Sequence, residues 1–260
     1  MRALSAHLSL AWPLAKRDIL ARYRGTLAGV FWALIGPLVM LLIYTLVFSG
    51  VFQARWGSAG DGGVAYVTRL FAGLIVFTSI AEVATRATRL MLDNANLVKR
   101  VVFPLELLVV ALLMQVAVHT ALQIGLLALM VAVLGDGLRL SWLWLPLAWA
   151  WALALQYAVA LVLAALGCYL RDLQHLVPVL VSGLMFLSPV FYPVDAAPVA
   201  LRAVLSLNPI SAPIELFRHA WFGDALDLPA LALQGLALLL GLWAARWIFL
   251  RLRPGFADLV

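Results

Sequence analysis

Charged residues are scarce in this chain, and cysteine is almost absent. Of 260 residues only 12% are charged, whereas 65% are hydrophobic, and Cys168 is the single cysteine. A soluble domain usually carries about 25% charged residues, so this composition indicates a protein that lies in a bilayer. One cysteine cannot form an internal disulfide, and C-x-x-C metal or redox motifs are excluded.

Motifs for catalysis and nucleotide binding are also missing. The sequence contains no G-x-x-x-x-G-K-[ST] loop, no H-E-x-x-H and no G-x-S-x-G, so it cannot hold nucleotide phosphates by a P-loop. Glu106 is the one acid expected inside a membrane span, and a single acid makes a poor proton relay. No clear inverted repeat of the secondary-carrier kind is visible. We therefore expect a chain that is not an enzyme and that binds no metal or cofactor of its own.

Long apolar runs dominate what is present. Residues 27–52 contain no Asp, Glu, Lys or Arg, and about 20 apolar residues in a helix suffice to cross a bilayer. The same reasoning predicts an all-α membrane protein of one domain, 1–260. Its six predicted transmembrane helices lie at about 28–52, 64–84, 104–134, 141–168, 174–192 and 229–250.

The basic residues divide unevenly between the two ends of these predicted helices. Of the 18 Lys and Arg residues, 13 fall on the side that carries both termini and 5 on the other. Cytoplasmic loops are enriched in Lys and Arg, so both termini are predicted to be cytoplasmic. The net charge of +6 follows from this bias, and binding to nucleic acid is not expected.

Residues 1–26 are predicted to form an amphipathic helix on the inner membrane surface. Apolar residues recur near helical spacing with bases between them. Arg17, Arg22 and Arg24 are our candidates for contact with an anionic lipid head group. The alternative is a basic flank that only sets the topology.

The cytoplasmic loop at 86–104 mixes polar residues with leucine, methionine and valine. This mixture predicts a short amphipathic helix, and exposed apolar side chains usually have a protein partner. The alternative is a plain loop that packs on its own helix ends.

A polar stripe runs along the third predicted span. Gln115, His119 and Gln123 are four residues apart, so they share one helix face. Either hydrogen bonding between helices or the lining of a polar pathway explains such a face. A metal site is disfavoured, because no second His or carboxylate lies on that face.

Residues 190–228, which we call the gate segment, separate the fifth and sixth predicted spans. The segment is rich in apolar residues and proline. Irregular backbone at membrane depth must be covered by protein or water, so we expect short re-entrant or surface helices that form an outer gate. An ordinary external loop is the alternative.

Three passages resemble the type-2 ABC exporter permeases for cell-surface polysaccharides. They are R-Y-R at 22–24 with G-x-x-W-x-x-x-x-P at 29–37, Asn94 with Leu97, Lys99 and Phe103-Pro104, and N-P-I at 208–210 with Glu215, Arg218 and Gly223. Their order along the chain and the predicted topology fit the family over nearly the whole length.

The resemblance implies a homodimeric permease in a bacterial inner membrane, partnered by two copies of an ABC ATPase that binds ATP and Mg. The cargo would be a polysaccharide of the O-antigen, capsule or teichoic acid type, free or on a lipid carrier, as in lipopolysaccharide biosynthesis.

The resemblance also assigns roles to residues. Those implied for ATPase coupling are Asp93, Asn94, Asn96, Leu97, Lys99 and Arg100. Our candidates for channel lining are Phe31, Trp32, Tyr44, Phe48, Phe186, Phe191 and Tyr192, and ordinary helix packing is the alternative for each of them. Those implied for the outer gate are Asn208, Pro209, Glu215 and Arg218.

Three other functions remain open from the sequence. A type-2 ABC exporter of drugs or lipids would share the same topology. An intramembrane glycolipid enzyme would need clustered catalytic acids or histidines, and a secondary carrier should work without ATP.

Overall fold

The computed structural model describes residues 11–20, 31–47, 63–99, 103–134 and 139–260. Over these residues the regular structure is helical throughout. In chain order the helices are α1 (11–20), α2 (Trp32–Thr45), α3 (Gly63–Ala87), α4 (Leu90–Asp93), α5 (Ala95–Val98), α6 (Glu106–Leu134), α7 (Leu145–Tyr169), α8 (Leu173–Phe186), α9 (Val199–Leu207), α10 (Ser211–Phe222), α11 (Leu228–Leu252) and α12 (Phe256–Leu259). Short 3-10 helices lie at Leu140–Trp144, Val194–Ala196 and Arg253–Gly255.

Four helical stretches within the described residues are long and apolar enough to cross a bilayer. They are Ala65–Ala87, Glu106–Val133, Leu140–Tyr169 and Leu228–Leu259. They coincide with the second, third, fourth and sixth predicted spans, so an all-helical, multi-pass membrane protein is confirmed.

The first and fifth predicted spans appear as shorter helices. Both α2 and α8 have 14 residues, which rise about 21 Å, whereas a hydrocarbon core is about 30 Å thick. Helix α8 ends at Phe186, although its span was predicted to reach residue 192. Of the first span only 31–47 is described, so the count of six crossings stays a prediction.

Local sequence explains where several helices begin and end. The Asp227 side chain accepts a hydrogen bond from the Ala230 amide at 3.1 Å and caps the start of α11. Gly223 ends α10 in the left-handed conformation, with φ at +73°, which glycine adopts without strain.

Two hydrophobic clusters hold the helices together, and α7 takes part in both. One includes Phe71 of α3 and Trp221 of α10. The other includes Met91 of α4, Phe249 of α11 and Phe256 of α12. The gate segment therefore packs at one end of α3 and α7, and the 86–104 loop packs at the other end.

Helix α1 packs against the beginning of α6. Ala11 and Ala15 are fully buried against Leu107 and Ala111, and these small side chains let the two helices approach closely. Of the predicted surface helix at 1–26, the structure describes only residues 11–20.

Candidate functional site

The loop predicted to couple to an ATPase contains two one-turn helices, α4 and α5. They meet at Asn94, whose side-chain amide donates a hydrogen bond to the Leu90 carbonyl at 2.9 Å. Met91 and Val98 are buried in the core, whereas Asp93, Asn96 and Lys99 are exposed. The loop thus has an apolar base fixed to the protein and a polar outer face.

The position of this loop is set by a close backbone contact with α7. Gly167 lies directly under the Thr88 carbonyl, and a Cβ at this position would overlap that oxygen. Only glycine permits such an approach, so the turn between α3 and α4 rests on α7 without an intervening side chain.

The apolar residues of the loop pack mainly on their own chain. Leu90 and Leu97 are partly buried against the same cluster as Met91 and Val98. This arrangement agrees with the alternative of a loop packed on its own helix ends, so the exposed polar face is the part available to a partner. Arg100 lies outside the described residues.

The polar stripe of α6 joins a network that connects three helices. Arg86 of α3 donates hydrogen bonds to Glu82 at 3.0 Å and to the Gln115 side-chain oxygen, and the Gln115 amide donates to Asp18 of α1 at 3.0 Å. His119 lies 4.0 Å from Glu82. The stripe therefore forms hydrogen bonds between helices, as one of the two interpretations predicted.

Glu82 is an acid inside a span. It lies within the predicted span at 64–84 as well as within the candidate span Ala65–Ala87, so the expectation that Glu106 is the one such acid was wrong. It also supplies the carboxylate beside His119 that the α6 face lacks. The i, i+4 spacing of Glu82 and Arg86 was the available signal, because such pairs often neutralise each other on a helix.

A cavity of about 260 Å³ lies between α2, α3, α6 and α8, and we call it the four-helix cavity. Its lining includes Pro37 of α2 and Met185 of α8, together with Glu82, His119 and Gln123. Apolar walls with a few converging polar groups are typical of ligand pockets. The polar stripe therefore agrees with both interpretations. Gln115 forms hydrogen bonds between helices, whereas His119 and Gln123 line this cavity.

The residues predicted to line a channel differ in exposure. Phe31, Trp32 and Phe186 are at least half exposed. Phe191 is buried, with its ring 5.2 Å from that of Tyr44.

The two remaining channel candidates are Tyr192 and Phe48, and the structure describes only Tyr192. The hydroxyl of Tyr192 donates to the Phe186 carbonyl at 2.8 Å, so this side chain closes the end of α8. Phe48 lies outside the described residues.

Asn208 of the predicted gate ties the gate segment to the end of α8. Its side-chain amide donates to the Leu187 carbonyl and to the Ser188 hydroxyl, both at 2.9 Å. Its side-chain oxygen accepts from the Ile210 amide at 2.9 Å, which fixes the turn around the exposed Pro209. This geometry explains the N-P-I motif as a structural joint.

Arg218 forms a second joint at the same place. Its guanidinium is buried and donates to the backbone carbonyls of Pro189, Val190 and Arg69. Burial lowers the pKa of Arg218 to about 9, against the opposing effect of the Asp224 and Glu215 carboxylates. Arg218 therefore stays charged at neutral pH, when charged donors form strong hydrogen bonds.

A second cavity of about 420 Å³ lies within the gate segment and the start of α11, and we call it the gate-segment cavity. Glu215 lines it, and burial raises the pKa of this carboxyl above its ordinary value. Among the predicted gate residues, Glu215 thus faces an open space, whereas Asn208 and Arg218 form structural bonds.

Of the three predicted lipid-binding arginines, only Arg17 is described. Its side chain is 62% exposed and forms an ion pair with Asp18 at 2.8 Å. Arg22 and Arg24 lie outside the described residues.

Comparison with known families decides the class of protein. The model of the family described as "ABC-2 type transporter" matches residues 10–222. This chain belongs to the ABC-2 type transporter family. The matched range of this ABC-2 transporter includes α1, the polar network, the loop at 86–104 and most of the gate segment, and the resemblance to type-2 ABC permeases is confirmed.

Several curated proteins are similar to this ABC-2 transporter over most of their length. An O-antigen export system permease protein of Myxococcus xanthus is 26% identical, covering 99% of this chain and 98% of its own. One from Klebsiella pneumoniae is 22% identical, covering 95% and 93%. A polysialic acid transport protein of Escherichia coli is 25% identical, covering 78% of each chain.

Proposed function

We propose that this chain is the permease subunit of an ATP-driven exporter that moves polysaccharide across a bacterial inner membrane. The cargo would be of the O-antigen, capsule or teichoic acid type, either free or linked to a lipid. The observation that carries this proposal is the full-length similarity to O-antigen export permeases within a family matched over residues 10–222.

The energy would come from a partner ATPase that binds ATP and Mg. The exposed polar face of the coupling loop, Asp93, Asn96 and Lys99, is the proposed contact surface. Its base is buried against α7, and a rigid base is required if a movement of the partner is to reach the spans. A conformational change needs different contacts in its two states.

The cargo path would run beside α2 and α8 in a homodimer with two ATPase copies. Both helices are short, contain a proline, and leave most of their apolar side chains exposed, including Leu42 and Val179. Such a surface is suited to a second copy of the chain and to aromatic contacts with sugars. We also propose that the chain has six spans with both termini in the cytoplasm. A lipid phosphate would bind near Arg17.

Reversing one charge on the coupling loop tests this function. Lys99→Glu is preferable to a change at Leu97, because Leu97 packs partly inside the protein, whereas Lys99 is exposed. We expect Lys99→Glu to reduce co-purification of the ATPase and glycan export together, since a contact charge is replaced by its opposite. Pull-down from solubilised membranes and surface glycan staining measure the two effects.

Lys16→Glu is the matched control, because Lys16 is an exposed lysine of α1 away from the coupling loop. It should leave ATPase co-purification intact. If Lys99→Glu retained the ATPase and exported glycan normally, the assignment of the coupling surface would be wrong. If the wild-type chain with its ATPase exported no glycan, the function itself would be wrong.

A further inference from the structure

The gate-segment cavity carries an excess of negative charge. Four carboxylates line it, those of Asp195, Glu215, Asp224 and Asp227, together with the guanidinium of Arg218. Asp224 is paired with Arg69 at 3.1 Å, and Asp227 caps α11.

Two of these carboxylates are not engaged in the fold. Those of Glu215 and Asp195 have no hydrogen bond or ion pair among the described residues, and both side chains line the cavity. Burial raises the pKa of the Glu215 carboxyl, the Arg218 guanidinium opposes this rise, and the Asp227 and Asp195 carboxylates add to it. The Glu215 and Asp195 carboxyl groups therefore offer hydrogen-bond acceptors to whatever occupies this space.

A second observation points to a ligand. Ser211 is only 2% exposed, lines the cavity, and its hydroxyl has no hydrogen-bond partner among the described residues. It lies one turn before Glu215 on α10, so the two side chains share a face. Buried hydroxyls are nearly always hydrogen-bonded in proteins, and a bound molecule would supply the missing partner.

The chemistry of these groups limits the ligand. Carboxylates accept hydrogen bonds and repel anions, so phosphates and acidic sugars are disfavoured. A metal ion fits poorly, since the described residues include no group of three His, Cys, Asp or Glu placed to hold one. A neutral molecule with many hydroxyl groups satisfies both limits, and a volume of about 420 Å³ lies within the range of ligand pockets.

We propose that the gate-segment cavity binds a neutral, hydroxyl-rich sugar unit, with Glu215 and Ser211 as its contact residues. The inference rests on the proposed export function and narrows its cargo to glycans that are neutral in the part that meets the gate segment. A hydroxyl that donates to Glu215 and another that bonds Ser211 would orient the sugar ring.

The test uses the full chain in lipid nanodiscs with maltotetraose as a neutral probe and tetragalacturonate as an acidic one. Saturation-transfer NMR titrations give the apparent dissociation constant. Wild-type protein should bind maltotetraose and discriminate against tetragalacturonate. Glu215→Gln and Ser211→Ala should each weaken maltotetraose binding about tenfold, as expected for one lost hydrogen bond to a charged or buried group.

Two further variants complete the test. Ala225→Trp should weaken binding, because Ala225 lines the cavity and an indole there would occupy part of the space without changing its charge. Asp258→Asn is the control, since Asp258 is an exposed carboxylate on α12, and it should bind maltotetraose as the wild type does. The inference is overturned if wild-type protein does not bind maltotetraose, binds both probes equally, or binds them unchanged in the cavity variants. Competition by millimolar calcium that depends on Glu215 would also overturn it, in favour of a cation site.

Thermal unfolding separates loss of binding from loss of folding. Burial raises the pKa of Glu215, so its ionisation destabilises the folded state as pH rises above the unfolded-state value. Glu215→Gln removes that cost and should unfold at an equal or higher temperature at neutral pH. If the wild-type chain exports glycan while its cavity variants bind sugar normally, only this inference fails and the export function stands.

Discussion

At the scale of single residues, Arg218 and Gly73 depend on each other. Arg218 reaches across from α10 to α3, and a Cβ on Gly73 would lie 2.6 Å from its guanidinium nitrogen. The same guanidinium donates hydrogen bonds to the carbonyls of Pro189 and Val190. The absence of a side chain at Gly73 therefore leaves space for the Arg218 guanidinium, which holds the gate segment in place.

Gly73→Ala should destabilise the protein by roughly 2 kcal/mol, because the methyl group displaces Arg218 and breaks at least one charged hydrogen bond. Thermal unfolding in detergent measures this loss. Gly125→Ala is the matched control, since Gly125 lies in α6 with nothing within 4 Å of a Cβ. It should be neutral or stabilising by up to about 1 kcal/mol. Equal melting of the two variants would contradict the dependence of Arg218 on Gly73.

The family resemblance implied an outer-gate role for Asn208, Glu215 and Arg218, which stays a prediction, and it did not indicate the bonds that Asn208 and Arg218 form. Asn208 donates to the Leu187 carbonyl 21 residues earlier, and Arg218 donates to the Val190 carbonyl 28 residues earlier and to the Arg69 carbonyl 149 residues earlier. Carbonyls have no sequence signal, so these joints could be recognised only once the fold was known.

At the scale of helices, four spans were predictable to within a few residues. Helices α3, α6, α7 and α11 follow from long stretches in which apolar residues predominate, because length and mean hydropathy decide whether a helix can cross a bilayer. The predicted end of α8 at 192 followed the apolar residues that continue to that position, although Pro189 is a sequence signal for an earlier helix end. The bonds from Asn208 and Arg218 to the turn have no such signal. The loop at 86–104 was correctly predicted as helical and amphipathic, but its apolar side faces its own chain.

The polar network makes a prediction about α1. Gln115→Leu should release α1, because it removes the acceptor for Arg86 and the donor to Asp18. Hydrogen exchange of amides 11–20 should become about tenfold faster, which corresponds to the loss of roughly one hydrogen bond.

Gln123→Leu provides the comparison on the same helix face. Gln123 is two turns further along α6 and lines the four-helix cavity, so exchange in α1 should remain as in the wild type. Unchanged exchange in Gln115→Leu would show that Ala11 and Ala15 hold α1 without help from the network.

At the scale of the whole molecule, the exposed faces of α2 and α8 are the most conspicuous surface. Leu42 of α2 is 60% exposed, and Val179 of α8 is 69% exposed. Helix α11 also exposes apolar side chains, such as Leu239 at 66%, but it has the length of a full span and can face lipid alone. Short helices gain more from a second copy of the chain, which would cover their ends.

Cross-linking tests the proposed homodimer. In a Cys168→Ser background, Val179→Cys should give a band at twice the monomer mass when membranes are treated with a bis-maleimide. Leu239→Cys is the control on the lipid-facing surface and should remain monomeric. Equal cross-linking at both positions, or at neither, would contradict a dimer through α2 and α8.

The hydrogen bonds at the end of α8 also affect the order in which this part of the protein can fold during synthesis. Backbone carbonyls at 187, 189 and 190 receive their donors from residues 208 and 218, which leave the ribosome later. Until then these carbonyls lack the donors from that segment. A nascent chain that ends before Asn208 would therefore have an unfinished joint at the end of α8, which is completed only when residues 208 and 218 have been made.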